Sequence, residues 1–318
     1  MHLGGPARRL ESIRAGDVGN GAGKPMCAFC EVVIGRLRLP TLGDQVTLTL
    51  PTDHASPSQV GMYLRCGEQY RRRYVQGERR PPGLAMLRGT GVHGGAAHRN
   101  GVKMDSGEET TKDDLVDVAV AYFDAGVEKA GEVDLTDEER RQGLEKAVGA
   151  ARDETASLAG GYSDLVAPLI VQPIAVEEKV TIDLSIGVQL LGYIDLVHEV
   201  EGETILEDLK TGKKVFSQDD VDADRQLAWY AMSWRHRTGD YPEQTGIRTL
   251  RSLKKGPKSD LITSVKGDAD TAALLATIDA VLRGISAGSF PPALHGTWWC
   301  SRKWCGWFDS CKYIASRR

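Results

Sequence analysis

Two strand-like runs meeting at Glu201-Gly202 constrain this chain more than any other stretch, because a two-residue loop with Gly in second place reads as a tight β-hairpin between Leu190 and Lys210. In that register Val200 faces Glu203, and counting back along both strands sets Asp195 opposite Asp208, with Lys210 on the Asp208 face. Directly opposed antiparallel residues hold their Cβ atoms roughly 5 Å apart, so two carboxylates placed this way repel unless a cation lies between them. The pair therefore asks for a hard divalent ion, Mg²⁺ or Mn²⁺, and a Lys two residues on can orient a metal-bound water or offset charge developing on a phosphate. Glu207 points to the opposite face, and a one-residue slip would exchange it with Asp208. The competing reading is a solvated strand end carrying surface ion pairs.

Gly192-Tyr193-Ile194-Asp195, followed by Ile205-Leu206-Glu207-Asp208-Leu209-Lys210-Thr211-Gly212, resembles the core of the PD-(D/E)XK nucleases, in particular their RecB-like branch with its CRISPR-adaptation-type exonucleases. Gly89-Thr90-Gly91-Val92-His93 upstream, Gln226-Leu227-Ala228-Trp229-Tyr230 downstream and cysteines near both ends fall in that branch's order, over residues 56 to 313. The resemblance implies an α/β fold with a central mixed sheet of about four strands flanked by helices. It also implies that His93 and the Leu209 carbonyl join Asp195 and Asp208 as metal ligands, that Lys210 serves the attacking water, and that Gln226 and Tyr230 face the active site and the nucleic-acid strand. The expected activity is metal-dependent hydrolysis of DNA by an exonuclease acting on single strands or duplex ends. The alternatives are an adaptation-type endonuclease trimming DNA for a partner integrase, and a non-catalytic DNA-binding subunit with the same fold.

At 318 residues the chain is long enough for a substantial core, and its formal charge of −4, from 40 Lys+Arg against 44 Asp+Glu, gives no global attraction to nucleic acid. Local basic patches must supply it. With no apolar run of roughly 20 residues and no signal-peptide core, the expectation is a cytoplasmic protein without a membrane segment. Six cysteines are too few for a disulfide scaffold in a chain of this size, and in a reducing compartment clustered cysteines more often hold metal. There is no Walker motif, so a helicase or recombination partner would have to supply any unwinding.

Residues 1 to 55 are rich in Gly and Pro and are read as a largely irregular extension, with a possible strand at Gln45 to Leu50, ahead of a nuclease domain over 56 to 318. Met26 to Gly35 is similar to the opening of histidine-triad nucleotide hydrolases, but no His-x-His-x-His follows, and Cys27 and Cys30 alone make an incomplete zinc site. Ser56-Pro57 opens a helix expected to run to Tyr74, past Cys66 to Arg71-Arg72-Arg73, with Arg79-Arg80 beyond. Those arginines either grip phosphates or are a solvated helix end. Gly89-Thr90-Gly91 is expected to lead into a helix bearing His93 near its start, whereas His98 has no assigned role. Residues 100 to 165 read as a helical insertion, with helices at Asp113 to Lys129 and Thr136 to Ala159.

A strand near Ile174 to Leu184 carries Glu177 and Glu178, either of which could touch the metal region, with exposed residues of an edge strand as the preferred reading. Helices at Asp222 to Arg237 and Ala269 to Ala287 and a strand at Gly246 to Leu253 follow, the strand ending in a basic stretch, Arg251 to Lys258, near the expected DNA path. Over residues 298 to 313, Cys300, Cys305 and Cys311 want a fourth thiolate. The resemblance to iron–sulfur nucleases of this branch supplies Cys66 and a 4Fe-4S cluster acting as a staple. This chain spaces its late cysteines C-x4-C-x5-C where those families commonly have C-x2-C-x5-C. A four-thiolate Zn²⁺ site or free buried cysteines are the alternatives. Trp298, Trp299, Trp304 and Trp307 shield the cluster or stack on bases.

Overall fold

The computed structural model describes residues 48–184, 186–294 and 296–315. The possible strand at Gln45 to Leu50 falls partly outside them, its described end having no regular structure, and the Cys27/Cys30 region lies wholly outside. Six strands form one mixed sheet: β1 (His54–Ala55), β2 (Gln172–Asp183), β3 (Gln189–Val200), β4 (Glu203–Thr211), β5 (Gln244–Leu253) and β6 (Gly256–Ser264), in the order β1-β3-β4-β5-β6 with β2 also paired to β3. The sheet thus exceeds the four strands expected. Its extra members are the two-residue β1, parallel to β3, and β6, antiparallel to β5. The stretch expected to be a basic surface is the turn and start of that last hairpin, where Gly256 adopts φ 109°.

Helices cover both faces. On one, α1 (Pro57–Arg65), α8 (Arg225–Thr238) and α9 (Asp268–Ser286) pack apolar residues such as Val60, Leu227 and Ile278 with Ile194, Leu206 and Ile247 of the sheet. On the other, α3 (Leu84–Ser106), α4 (Lys112–Ala130) and α6 (Leu144–Leu165) pack Val92, Leu115 and Leu158 with Leu196, Leu209 and Leu250. Burying these apolar stripes is what orders the layers.

Four helix boundaries differ from the sequence expectation, the simplest being the helix expected at Asp222 to Arg237, which is split at Ala223-Asp224 into α7 (Gln218–Asp222) and α8. Ser56 caps α1 as expected, but the helix breaks at Cys66, whose backbone is extended, and resumes as α2 (Gly67–Tyr70) and a π-turn over Arg71–Val75. Helix α3 starts at Leu84, so Gly89-Thr90-Gly91 lies inside it and His93 stands mid-helix. There a Cβ on Gly91 would approach the Ala119 carbonyl to 2.7 Å, so this glycine lets α3 press against α4. Thr136 forms its capping box on the short α5 (Asp137–Gln142), and Gly143 then separates that turn from α6.

Candidate active site

The hairpin turn adopts positive φ at both central residues, 53° at Glu201 and 86° at Gly202, the geometry whose twist matches that of the flanking strands. Its ladder runs from Val200↔Glu203 to Leu196↔Glu207, so Asp195 and Asp208 stand one step beyond the last pair. At that point the Asp195 carboxylate replaces a ladder acceptor: its Oδ2 accepts the Leu209 amide at 2.9 Å.

Helix α3 delivers His93 over this opening. Its Nε2 lies 2.7 Å from the Leu209 carbonyl, and since a carbonyl only accepts, Nε2 carries the proton. In a neutral ring Nδ1 then offers a lone pair, yet it faces Asp195 Oδ2 at 3.4 Å and Glu177 Oε1 at 3.9 Å. Three electron-rich atoms pointing at one another are stable only with a proton among them, on the imidazole or on a carboxyl, or around a metal ion. Among the described residues, His93, Glu177 and Asp195 form a group whose ligating atoms all lie within 4.8 Å of one another. They border a cavity of about 20 Å³, also touched by Leu209, where one water-sized particle needs ~10–15 Å³.

Glu177 is an exposed residue of β2, which pairs only with β3 among the described strands, as the edge reading expects, and it also reaches the metal region, the alternative reading of this strand. It lies between the pairs Val176↔Leu196 and Glu178↔Ile194, across from Asp195, and its φ of 47° is left-handed, which a non-glycine residue rarely adopts. Partial burial, reinforced by the Asp195 charge, pushes its carboxyl up to about 7. The neighbouring Glu178 instead pairs with Arg237 at 2.5 Å. No local pattern distinguishes the two glutamates; the backbone reversal does.

Asp208 is 1% exposed, and neither carboxylate oxygen accepts a well-formed hydrogen bond; the Lys210 ammonium stands 2.7 Å from Oδ2. Burial raises its pKa, Lys210 opposes that rise and Asp195 adds to it. Burial works against the Lys210 charge, but Asp208, Asp195 and Asp224 outweigh it and hold the ammonium above its ordinary value. Lys210 Nζ also donates to Gln226 Oε1 at 3.1 Å, and Gln226 Nε2 donates to the Tyr230 hydroxyl at 2.6 Å. Helix α8 can present both because Asp224 caps it, accepting the amides of Gln226 and Leu227, and because i and i+4 share a face. Burial, with the nearby carboxylates, holds the Tyr230 hydroxyl protonated.

Glu207, beside Asp208 in the chain, is buried and belongs to a separate network. It takes a two-pronged contact from Arg248 of β5, including Arg248 Nη2 to Oε1 at 2.6 Å, and a hydrogen bond from His198 at 3.0 Å. Alternation along β4 thus sends Asp208 toward Lys210, outside the group of His93, Glu177 and Asp195, and Glu207 to an ion pair with Arg248 that borders the same 20 Å³ cavity.

Cys66, Cys300, Cys305 and Cys311 line one cavity of about 70 Å³, together with Arg72 and Trp307. Arg72 Nη2 donates to the Ser310 carbonyl at 2.8 Å, tying the late segment to the arginine-rich turn. Of the four tryptophans, Trp307 borders the thiol cavity, whereas Trp298 and Trp304, 62% and 57% exposed, do not line it.

Solved structures similar to this one include a provisionally named exonuclease from Eubacterium rectale, at 12% identity and a TM-score of 0.45, covering 84% of this chain and 88% of that one. Another is the protein SSO0001, at 11% identity and a TM-score of 0.41, covering 90% of this chain and 95% of that one. No curated protein matches. No helix among the described residues is long and apolar enough to cross a membrane. The PD-(D/E)XK nuclease superfamily, by contrast, matches residues 54–312, a span that takes in β1, the whole sheet and the cysteine-bearing segment. By that match the chain belongs to the PD-(D/E)XK nuclease superfamily.

Proposed function

We propose that this protein is a Mg²⁺- or Mn²⁺-dependent deoxyribonuclease that works as an exonuclease on single strands or duplex ends. The observation that supports it most is the His93 ring, whose Nδ1 faces two carboxylates across a space sized for one ion. His93, Asp195, Asp208 and the Leu209 carbonyl are the proposed metal-holding groups, with Glu177 added to them. When bound, the ion polarises a phosphoryl oxygen and makes its own water acidic. Lys210, steadied by Asp208 and Gln226, offers an ammonium that orients the attacking water and offsets charge on the phosphate. Gln226 and Tyr230 fix that ammonium and border the path of the strand.

The four thiols are the proposed ligands of a 4Fe-4S cluster that staples α1 to the late segment. Tetrahedral zinc with Zn–S bonds of about 2.3 Å needs sulfurs about 3.8 Å apart. No group of three thiols among the described residues has its sulfurs within 4.8 Å of one another, and the cavity is larger than a lone ion requires. With no Walker motif in the sequence, the chain supplies cutting and not unwinding, so a helicase or recombination partner is the proposed source of opened duplex ends.

The test is incubation with end-labelled linear and circular single strands, with Mg²⁺, with Mn²⁺ and with a chelator. Metal-dependent loss of linear strands alone is expected. Cutting of circles removes the exonuclease reading, and no cutting under any condition removes the nuclease reading.

A further inference from the structure

We propose that Trp298 and Trp304, with Arg65 and Lys303 beside them, form a stacking platform that holds single-stranded DNA outside the carboxylate site; this rests on the nuclease reading. Two large aromatic rings left 62% and 57% exposed in one cluster are unusual on a soluble surface, where such groups signal a binding role. The rings are not loosely strewn. Trp298 stands edge-on to Trp299, with centroids 5.4 Å apart, and to Trp304, at 5.2 Å. Trp299 anchors the group, its indole N–H donating to the Arg65 carbonyl at 3.2 Å.

A cation lies by one of these rings, and others are near in the chain. Lys303 Nζ lies 5.2 Å from the Trp304 ring, while the exposed Arg65 meets Trp299 through its backbone carbonyl and turns its guanidinium to Gln69 Oε1 at 3.3 Å. Arg80 packs against Gly306 so closely that a Cβ there would stand 2.7 Å from its Nε. In a chain of net charge −4, this cluster brings exposed indole rings and a Lys together on the outside. Such a surface fits a strand whose bases stack on rings while its phosphates meet cations, and every base offers a face to stack. A duplex, with its bases already stacked, gains less from it.

The test measures binding of a fluorescein-labelled oligothymidylate of about 16 nucleotides to the full chain carrying Lys210→Ala, so that nothing is cut. Adding Trp298→Ala with Trp304→Ala is expected to weaken binding about ten- to a hundredfold, as loss of one or two stacked bases does. Replacing both with Phe keeps most of the affinity, while blunt duplex binding changes little. Thermal melts confirm that each variant folds. Unchanged single-strand affinity in the folded double-Ala variant overturns the platform and leaves the patch to a protein partner. Equal weakening by Ala and by Phe also overturns it, because a stacking surface tolerates any aromatic ring. Platform-dependent binding by a protein that cuts nothing with either metal would instead refute the nuclease reading and leave the platform standing.

Discussion

Lys210 rests its ammonium 2.7 Å from Asp208, a carboxylate 1% exposed to solvent and two residues before it on the same strand. An anion buried this deeply is tolerable only beside a positive charge, and once a metal ion neutralises it the ammonium is free to serve water or phosphate. Lys210→Ala and Asp208→Ala are each expected to slow single-turnover cleavage at least about 100-fold. DNA binding, followed by fluorescence anisotropy, stays largely intact. Normal cutting by either variant refutes the site assignment.

Stability should depend on pH in a direction set by the raised carboxyls. Asp208 is pushed up by burial, and Glu177 to about 7 by burial and Asp195, so the folded state holds protons that the unfolded chain releases near the ordinary carboxylate range. Stability without metal therefore declines as pH rises from about 4 toward 7, and levels off above that. Asp208 contributes most, because the Glu177 side chain is 42% exposed. Melting temperatures in chelator should fall across this window, and Mn²⁺ at pH 8 should reverse the fall. A flat profile contradicts the assignment.

Glu177→Gln keeps the shape of the side chain and removes its charge from the group it forms with His93 and Asp195. Mn²⁺ affinity, read by calorimetry, is expected to drop about tenfold or more, the size of effect seen when a group supporting a metal site is lost. Unaltered affinity would return Glu177 to the role of an edge residue.

Arg248→Ala strands Glu207, buried with His198 as its remaining partner. Leaving one half of a buried ion pair costs about 3–5 kcal/mol. Urea unfolding should show that loss, and combining Arg248→Met with Glu207→Leu should cost less than the single change, because no charge is then left behind.

Cys305→Ser should lower the melting temperature and bleach any brown visible absorbance. Metal analysis separates the outcomes: a colourless, iron-free protein carrying zinc overturns the cluster proposal.

The hairpin was legible because its signals are local: Glu201-Gly202 names the turn, and alternation then aligns Asp195 with Asp208. Strand β6 was not, because Lys258, Ser259 and Asp260 break its apolar alternation and read as a charged loop. His93 was found through Gly89-Thr90-Gly91, although Gly91 serves the packing of α3 on α4 and does not open a helix. That Glu177 or Glu178 could reach the metal region was legible, but which of them does so was not, because it depends on a left-handed residue inside a strand, which leaves no trace in the sequence. Cys66 and the three late cysteines meet across the whole fold, a juxtaposition no local pattern carries. The tryptophans were visible as a group, but only packing shows which of them turn outward.

The thiol chamber draws on Cys66 from one side of the sheet's sequence and on Cys300, Cys305 and Cys311 from the other, whereas β2 through β6 follow one another between Gln172 and Ser264. On the ribosome, where chains emerge at about 5–20 residues per second, every residue proposed for the cutting site, from His93 to Tyr230, is made before Cys300, Cys305 and Cys311 exist. The proposed clasp can therefore close only as a late step, after the sheet has been synthesised.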